Sequence, residues 1–399
     1  MVKKAVIFRV NYYIGLGAAR CLGRNNIWVV AAIENNSKVK YGLHTKYIDE
    51  RIDIINVKEN PQKAFEQLVQ YAKRQDAKPL LIPTTDPYVE FVDRFLDELR
   101  EYYLLPPIKK GLYTKLMDKD LLSVLANQNN VQIPKVIEPN SQDNITETLD
   151  KVEREIGFPC LIKPVNSHKF VAVFKEKMFI ANNRDDIING LSKANEKKME
   201  VFIQQLIKGF DDQMYTFDCY IDKNGEMTHW ATFQKQRQFP INFGASTYIK
   251  QRYVPELVEI GSRFLLDIDY RGFAEIEFKK NARDGRFYLI EVNVRTTNFH
   301  ILLEKLGINT PLIMFKDLNN EKIGTEFIRE DTEIHFWSCY EDISAIRGYL
   351  RKKQLTLPNV IKSLLYKKVE AIWAFDDPLP GIYFVLEKIK KFIYKRFSR

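Results

Sequence analysis

Residues 272–295 read GFAEIEFKKNARDGRFYLIEVNVR. Two runs of apolar and β-branched residues flank Asp284-Gly285, a pair suited to a tight turn, so the segment predicts an antiparallel hairpin. Successive residues of a strand point to opposite faces. Glu275 and Glu277 therefore share one face of the first strand. Glu291 and Asn293 share one face of the second, with Arg295 next in line. Acidic side chains in mid-strand among Ile, Phe, Leu and Val are costly unless something cationic meets them. Oxygen donors on adjacent strands suit Mg²⁺, a hard cation that takes protein oxygens together with substrate phosphates. Arg295 is then placed to hold a phosphoryl oxygen. The competing reading is the solvated face of an edge hairpin.

The chain has 399 residues, 45% apolar and 28% charged, which fits two or three globular domains and rules out wholesale disorder. No run approaches the ~18 consecutive apolar residues of a membrane span. Cys21, Cys160, Cys219 and Cys339 lie far apart with no C-x-x-C, which predicts reduced thiols and a cytoplasmic protein. Upstream of the hairpin, KAVIF, WVVAAI and PLLIP read as strands alternating with helices over residues 1–112. That is the pattern of a small Rossmann-like domain with a parallel sheet. Its IGLGAAR segment predicts a tight turn at Gly15 and Gly17 before a helix, but has Arg20 where a dinucleotide fingerprint needs its third glycine.

After Pro106 the pattern changes. A helix is expected over residues 115–127, a strand at PCLIKP, a hairpin over 169–181, a helix over 185–194 and a strand at VFIQQL. Long strands over 215–221, 227–235, 272–280 and 287–292 indicate an α+β region. Lys163 inside an apolar strand is a poor place for an unpaired ammonium, and a phosphate oxygen would explain it. Lys119, alone, is an ordinary surface lysine. VFIQQLIKG ends in a mix of polar and apolar residues suited to the edge of an adenine.

The order of these motifs (a Rossmann-like domain, then DK, GFPCLIKP, VFIQQLIKGFDDQ, GFAEIEF and FYLIEVNVR) resembles the ATP-grasp superfamily over residues 1–320. Within it, KPVNS, IQQLIKGFDDQM and the late DPLP look most like the carboxylate–amine ligases, including D-aspartate ligases of peptidoglycan cross-bridge synthesis. The resemblance implies a combined α/β and α+β architecture. Residues 1–112 would be the Rossmann-like domain, 113–200 a small ATP-grasp subdomain, 201–325 a large one and 326–399 a basic extension. It implies that ATP and Mg²⁺ are bound, with Lys119 and Lys163 on the phosphates. Gln204, Gln205, Leu206 and Ile207 would form the adenine hinge, with Asp212 near the ribose. Glu277, Glu291 and Asn293 would hold Mg²⁺, Arg295 would steady the transferred phosphoryl group, and Lys235 and Arg237 would lie near an acyl phosphate. The glycine-rich loop usual after Lys163 reads Val165-Asn166-Ser167-His168-Lys169 here, so His168 or Lys169 would have to cover the phosphates by side chain.

The activity implied is ATP-dependent joining of an amino-acid-like carboxylate to an amine, on an amino acid or a peptidoglycan precursor. Dipeptide formation, a biotin-carboxylase-like reaction, or nucleotide binding without turnover are the alternatives, and a homodimer is compatible with any of them. Asp86, just past a strand end, would face a substrate amino group or cap a helix. Thr296, Asn298 and His300 would line the cleft or simply pack.

The net charge of +9 sits in one place. Residues 347–399 hold thirteen bases against four acids, while the first 346 carry 48 of each sign. A neutral body argues against nucleic acid as a partner. Near the C-terminus, Ile382, Val385, Leu386, Ile389 and Ile393 fall on one helical face with lysines elsewhere. This predicts either a helix docked on the protein or a basic amphipathic helix resting on the inner face of an anionic membrane.

Overall fold

In the computed structural model, which describes residues 2–35, 37–139, 145–242 and 244–397, the N-terminal sheet is parallel throughout. Its strands run Glu50–Ile54, Trp28–Glu34, Lys4–Phe8, Leu80–Ile82 in spatial order. Alternate residues feed two cores. Val6 and Phe8 pack with Leu68 and Val89, whereas Ala5 and Ile7 pack with Leu16 and Ala19. Both faces are covered, as a parallel sheet requires. The turn expected at Gly15 and Gly17 is absent, because both lie within the helix Tyr13–Gly23. Gly17 serves close approach instead: a Cβ there would come within 2.7 Å of His300 Nε2.

The small sheet is antiparallel, in the order Val136–Ile137, Val201–Gln205, Cys160–Pro164, Phe179–Ala181. The expected boundary at residue 200 therefore falls too early, since Val201–Gln205 pairs with Cys160–Pro164. The expected hairpin over 169–181 is corrected as well. Ser167–Phe174 is a helix, capped by Asn166 accepting from Lys169 N, and Phe170 and Phe174 pack on Phe179. The helix expected over 115–127 is broken at Asp118, whose carboxylate accepts from Asp120 N and Leu121 N and starts the helix Lys119–Gln128.

The large sheet runs Phe287–Asn293, Gly272–Lys280, Met214–Ile221, Met227–Phe239, Ala245–Gln251, Ile334–Trp337, Lys367–Glu370. On one face Phe217, Ile276 and Phe278 pack against Phe264 and Leu265 of the helix Pro255–Asp267. On the other, Tyr220, Phe233 and Phe273 join the core that contains Leu16 and Ala19. The C-terminal extension is built into this body, because two of its strands continue the large sheet. Two buried ion pairs pin it: Arg20 Nε to Asp377 at 2.9 Å, and Arg237 NH2 to Asp342 at 2.7 Å. Cys21, Cys160, Cys219 and Cys339 are free thiols, and no described helix is long and apolar enough to cross a membrane.

Candidate active site

The hairpin Gly272–Lys280/Phe287–Asn293 places Glu275 opposite Asn293 and Glu277 opposite Glu291. The neighbouring strand adds Asp218 beside Glu275. Ala274, Ile276 and Phe278 alternate with the glutamates and are buried in the core, so packing on one face forces the acids onto the other. Asn293 donates Nδ2 to Glu275 Oε1 at 2.9 Å, leaving its own carbonyl oxygen as an acceptor. Lys235, buried, meets Glu277 at 2.6 Å. Arg295 donates from Nε to Asp86 Oδ1 at 2.5 Å.

This cluster is short of positive charge. Burial raises the carboxyl of Glu277 to about 8 against the pull of Lys235, with Glu291 and Glu275 adding to the rise. Burial also raises Glu275, and raises Asp218 well above its usual range with Glu275 as the next cause. Asp218 Oδ1 and Glu275 Oε2 are buried without a hydrogen-bond partner. Lys235 stays charged, because Glu277, Glu275 and Glu291 outweigh the burial that opposes it. Unsatisfied carboxylate oxygens, two facing glutamates and an amide oxygen fit a hard divalent cation. Among the described residues no three His, Cys, Asp or Glu side chains form a ready-made cage.

Lysines around the small sheet feel this cluster. Lys163 Nζ donates to Gln204 Oε1 at 2.8 Å. Burial, with Lys119 adding to it and Glu291 partly offsetting both, lowers Lys163 to about 8. Lys177, which follows the helix Ser167–Phe174, feels the same groups: burial lowers it, Glu291 raises it and Lys119 lowers it. Lys163 from a strand of the small sheet and Lys177 from the bend before Phe179–Ala181 thus both feel Glu291 and also Lys119, which starts a helix. Several ammonium groups close to one another suit a polyphosphate.

Several expectations change here. Arg237 does not join Lys235. Lys235 pairs with Ile249 and Arg237 with Tyr248, so Gln236 is an extra residue, and successive positions Ile249 and Tyr248 point to opposite faces. Arg237 instead donates twice to Asp342, at 2.8 and 2.7 Å, and lies 4.1 Å over the Tyr248 ring. It is a buried structural anchor, and its assignment near an acyl phosphate is withdrawn. Thr85, not Asp86, stands at the N-cap position of the helix Asp86–Arg94, with no side-chain capping bond, and the Asp86 carboxylate accepts from Arg295. His300 is buried against Gly17, with Nδ1 2.6 Å from Thr297 O, and Asn298 donates to Ser246 O.

Along the hinge, Gln205 N donates to Lys135 O and its side chain accepts from Lys135 N, which ties the end of the strand Val201–Gln205 in place. Leu206 is half-buried, Ile207 is buried and Asp212 is exposed, its carbonyl accepting from Gln234 Nε2. The side chain of His168 lies outside the described residues. Two contributors had no part in the sequence reading. Asp218 carried a usable signal, an acid inside the strand YTFDCYI. Lys177 carried none, because only the folding of the small sheet brings it to Glu291.

Residues 118–316 match the family described as the carbamoyl-phosphate synthase L chain, ATP binding domain. The D-aspartate ligase of Enterococcus faecium (strain Aus0004) is 26% identical over 247 residues, which is 60% of this chain and 58% of that protein. The D-alanine--D-alanine ligase of Pelagibacter ubique (strain HTCC1062) is 21% identical over 256 residues, covering 61% of this chain and 77% of the relative. Among solved structures, the biotin carboxylase domain of Hydrogenobacter thermophilus 2-oxoglutarate carboxylase, in complex with MgADP, ADP and bicarbonate, superposes with a TM-score of 0.63 at 18% identity. It covers 84% of this chain and 74% of that one. An L-amino acid ligase from Bacillus licheniformis gives 0.58 at 15%, over 79% and 74% of the two chains. These structural likenesses establish the fold. The chain matches somewhat over half the length of the D-aspartate ligase.

Proposed function

Since the chain belongs to the ATP-grasp superfamily, we propose that it is an ATP- and Mg²⁺-dependent ligase that activates a carboxylate as an acyl phosphate and joins it to an amine. The observation that carries this reading is the facing arrangement of Glu277, Glu291 and Asn293 on one side and Lys119, Lys163 and Lys177 on the other. The three oxygen donors would hold Mg²⁺, which supplies charge neutralisation to the phosphates. The lysines bind and orient the polyphosphate, with Gln204 fixing the Lys163 ammonium. A carboxylate oxygen of the acid substrate attacks the γ-phosphorus and ADP leaves. The amine then attacks the acyl carbon, phosphate departs, and the amine gives up a proton.

Arg295, held by Asp86 from the N-terminal domain, is positioned to steady the phosphoryl oxygens during transfer. Lys235, locked to Glu277, keeps a fixed positive charge beside the reacting groups. Positioning and charge neutralisation dominate phosphoryl transfer, so no side-chain nucleophile is needed.

The D-aspartate and D-alanine ligases among the relatives, with the family motifs, favour an amino acid as the acid substrate and an amino-acid or peptidoglycan-precursor amine as acceptor. ADP release measured across a panel of D- and L-amino acids, each paired with amine acceptors, tests this. Acid- and amine-dependent ADP formation with a C–N product supports it, and ATP binding without any such turnover refutes it. That refuting outcome is the second reading, a nucleotide-binding protein. What favours it is the helix Ser167–Phe174, which stands where the family carries a glycine-rich loop.

A further inference from the structure

The helix Leu379–Phe397 lies against the protein by a mixed face, with Tyr383 stacked on His44 and Phe384 packed on a buried core. Glu387 accepts from Lys40 N at 2.9 Å. Phe384 packs edge-on to Tyr41 at 5.1 Å, Gly381 sits against Trp373, and Lys388 lies 4.2 Å over the Tyr340 ring. Residues 381, 384 and 388 follow helical spacing and define the docked face. The apolar stripe is elsewhere: Ile382, Val385, Leu386, Ile389, Phe392 and Ile393 are 41% to 65% exposed. A helix that docks on a body normally buries such a stripe. Here the apolar residues point away from the only surface that the helix touches among the described residues. The same extension exposes Leu357, Ile361, Leu364 and Leu365, with Lys362 among them and Lys367 just beyond.

We propose that this outward stripe is a docking surface for an anionic lipid bilayer. Charge complementarity selects that occupant. The extension from residue 347 carries the whole net charge of +9, while the body is neutral. Lys390 and Lys391 are exposed on the segment that bears the stripe. An apolar stripe flanked by lysines lies in the headgroup boundary, its side chains in the acyl region and its ammonium groups on anionic headgroups. A soluble protein partner would need acidic complementarity as well as an apolar groove, and a second copy would bring two strongly basic extensions together. The contacts to Lys40, Tyr41, His44 and Tyr340 fix the direction in which the stripe faces, so the protein would dock in one orientation. This surface is separate from the ligase site and stands whether or not that activity is confirmed.

The test is co-sedimentation of the full chain with vesicles of phosphatidylcholine alone and of phosphatidylcholine with phosphatidylglycerol. Binding to the anionic vesicles at low salt and release at high salt are expected. Ile389→Ser combined with Ile393→Ser should weaken binding by about tenfold or more, since two buried branched side chains are lost from the lipid contact. Its melting temperature should be unchanged, because both residues are exposed. Lys390→Glu with Lys391→Glu should abolish the preference for anionic over neutral vesicles. Failure of the full chain to bind anionic vesicles overturns the proposal, as does equal binding to both compositions. Concentration-dependent self-association that the isoleucine variant abolishes, with no vesicle binding, assigns the stripe to a second copy and also overturns it.

Discussion

Replacing Lys163 by methionine should make the free protein more stable and a weaker binder of ATP. Burial, Lys119 and the small offset from Glu291 bring this ammonium from 10.5 to about 8. At ~1.4 kcal/mol per factor of ten, holding the charge costs the native state about 3 kcal/mol. The native protein therefore binds fewer protons than the unfolded chain between about pH 8 and 10.5. Wild-type stability should rise with pH through that window, and the cost is present in full below pH 8. Lys163→Met removes the cost and forfeits the bond to Gln204, worth about 1 kcal/mol, for a net gain of about 2 kcal/mol at pH 7.

Nucleotide binding should move the opposite way, losing about 1–3 kcal/mol, or roughly five- to 150-fold, with one charge-assisted contact. Phosphate binding to the wild type draws the proton back onto Lys163, so its affinity should fall about tenfold between pH 7 and pH 9. The variant should lack that fall. Thermal melts and calorimetric titration of ATP at the two pH values give all four quantities. Wild-type affinity in the variant, or a wild-type affinity that does not fall from pH 7 to pH 9, would refute the assignment of Lys163 to a phosphate.

Glu291→Gln should abolish ADP formation with an unchanged melting temperature, because Glu291 is exposed and its role is to hold the cation. Glu277→Gln should abolish turnover too, with little loss of stability near pH 7, since burial and the facing glutamates raise the Glu277 carboxyl to about 8 and an amide oxygen can still accept from Lys235. Lys177→Met should weaken ATP binding by about 1 kcal/mol or more in calorimetry and leave the fold intact; unaltered affinity would remove Lys177 from the phosphate site. Asp342→Ala should destabilise the protein by about 3–5 kcal/mol in denaturant unfolding by leaving the buried Arg237 unpaired. A mild effect would show that Arg237 is free to serve the active site after all.

What the sequence determined by itself is what strand alternation and chain order carry. Glu275, Glu277, Glu291 and Asn293 were legible because the residues between them are apolar, and burying those residues leaves the acids only one face. The parallel N-terminal sheet was legible because its strands and helices alternate, and Lys163 stood out as a charge inside an apolar strand. Tertiary structure decided what depends on pairing between distant segments. The extra residue Gln236 exists only relative to the strand Ala245–Gln251, so nothing local showed that Arg237 turns away from Lys235 toward Asp342. Lys177 joins Lys163 and Lys119 only when the small sheet forms. Residues 169–174 were read as a strand, but the Asn166 cap and the packing of Phe170 and Phe174 on Phe179 make them helical. The C-terminal stripe was visible in the helical period, but its direction was not. Contacts of Glu387, Phe384 and Lys388 with the body turn a mixed face inward and leave Ile382, Ile389 and Ile393 facing out, because a helix has one amphipathic pattern but its partner chooses which face is covered.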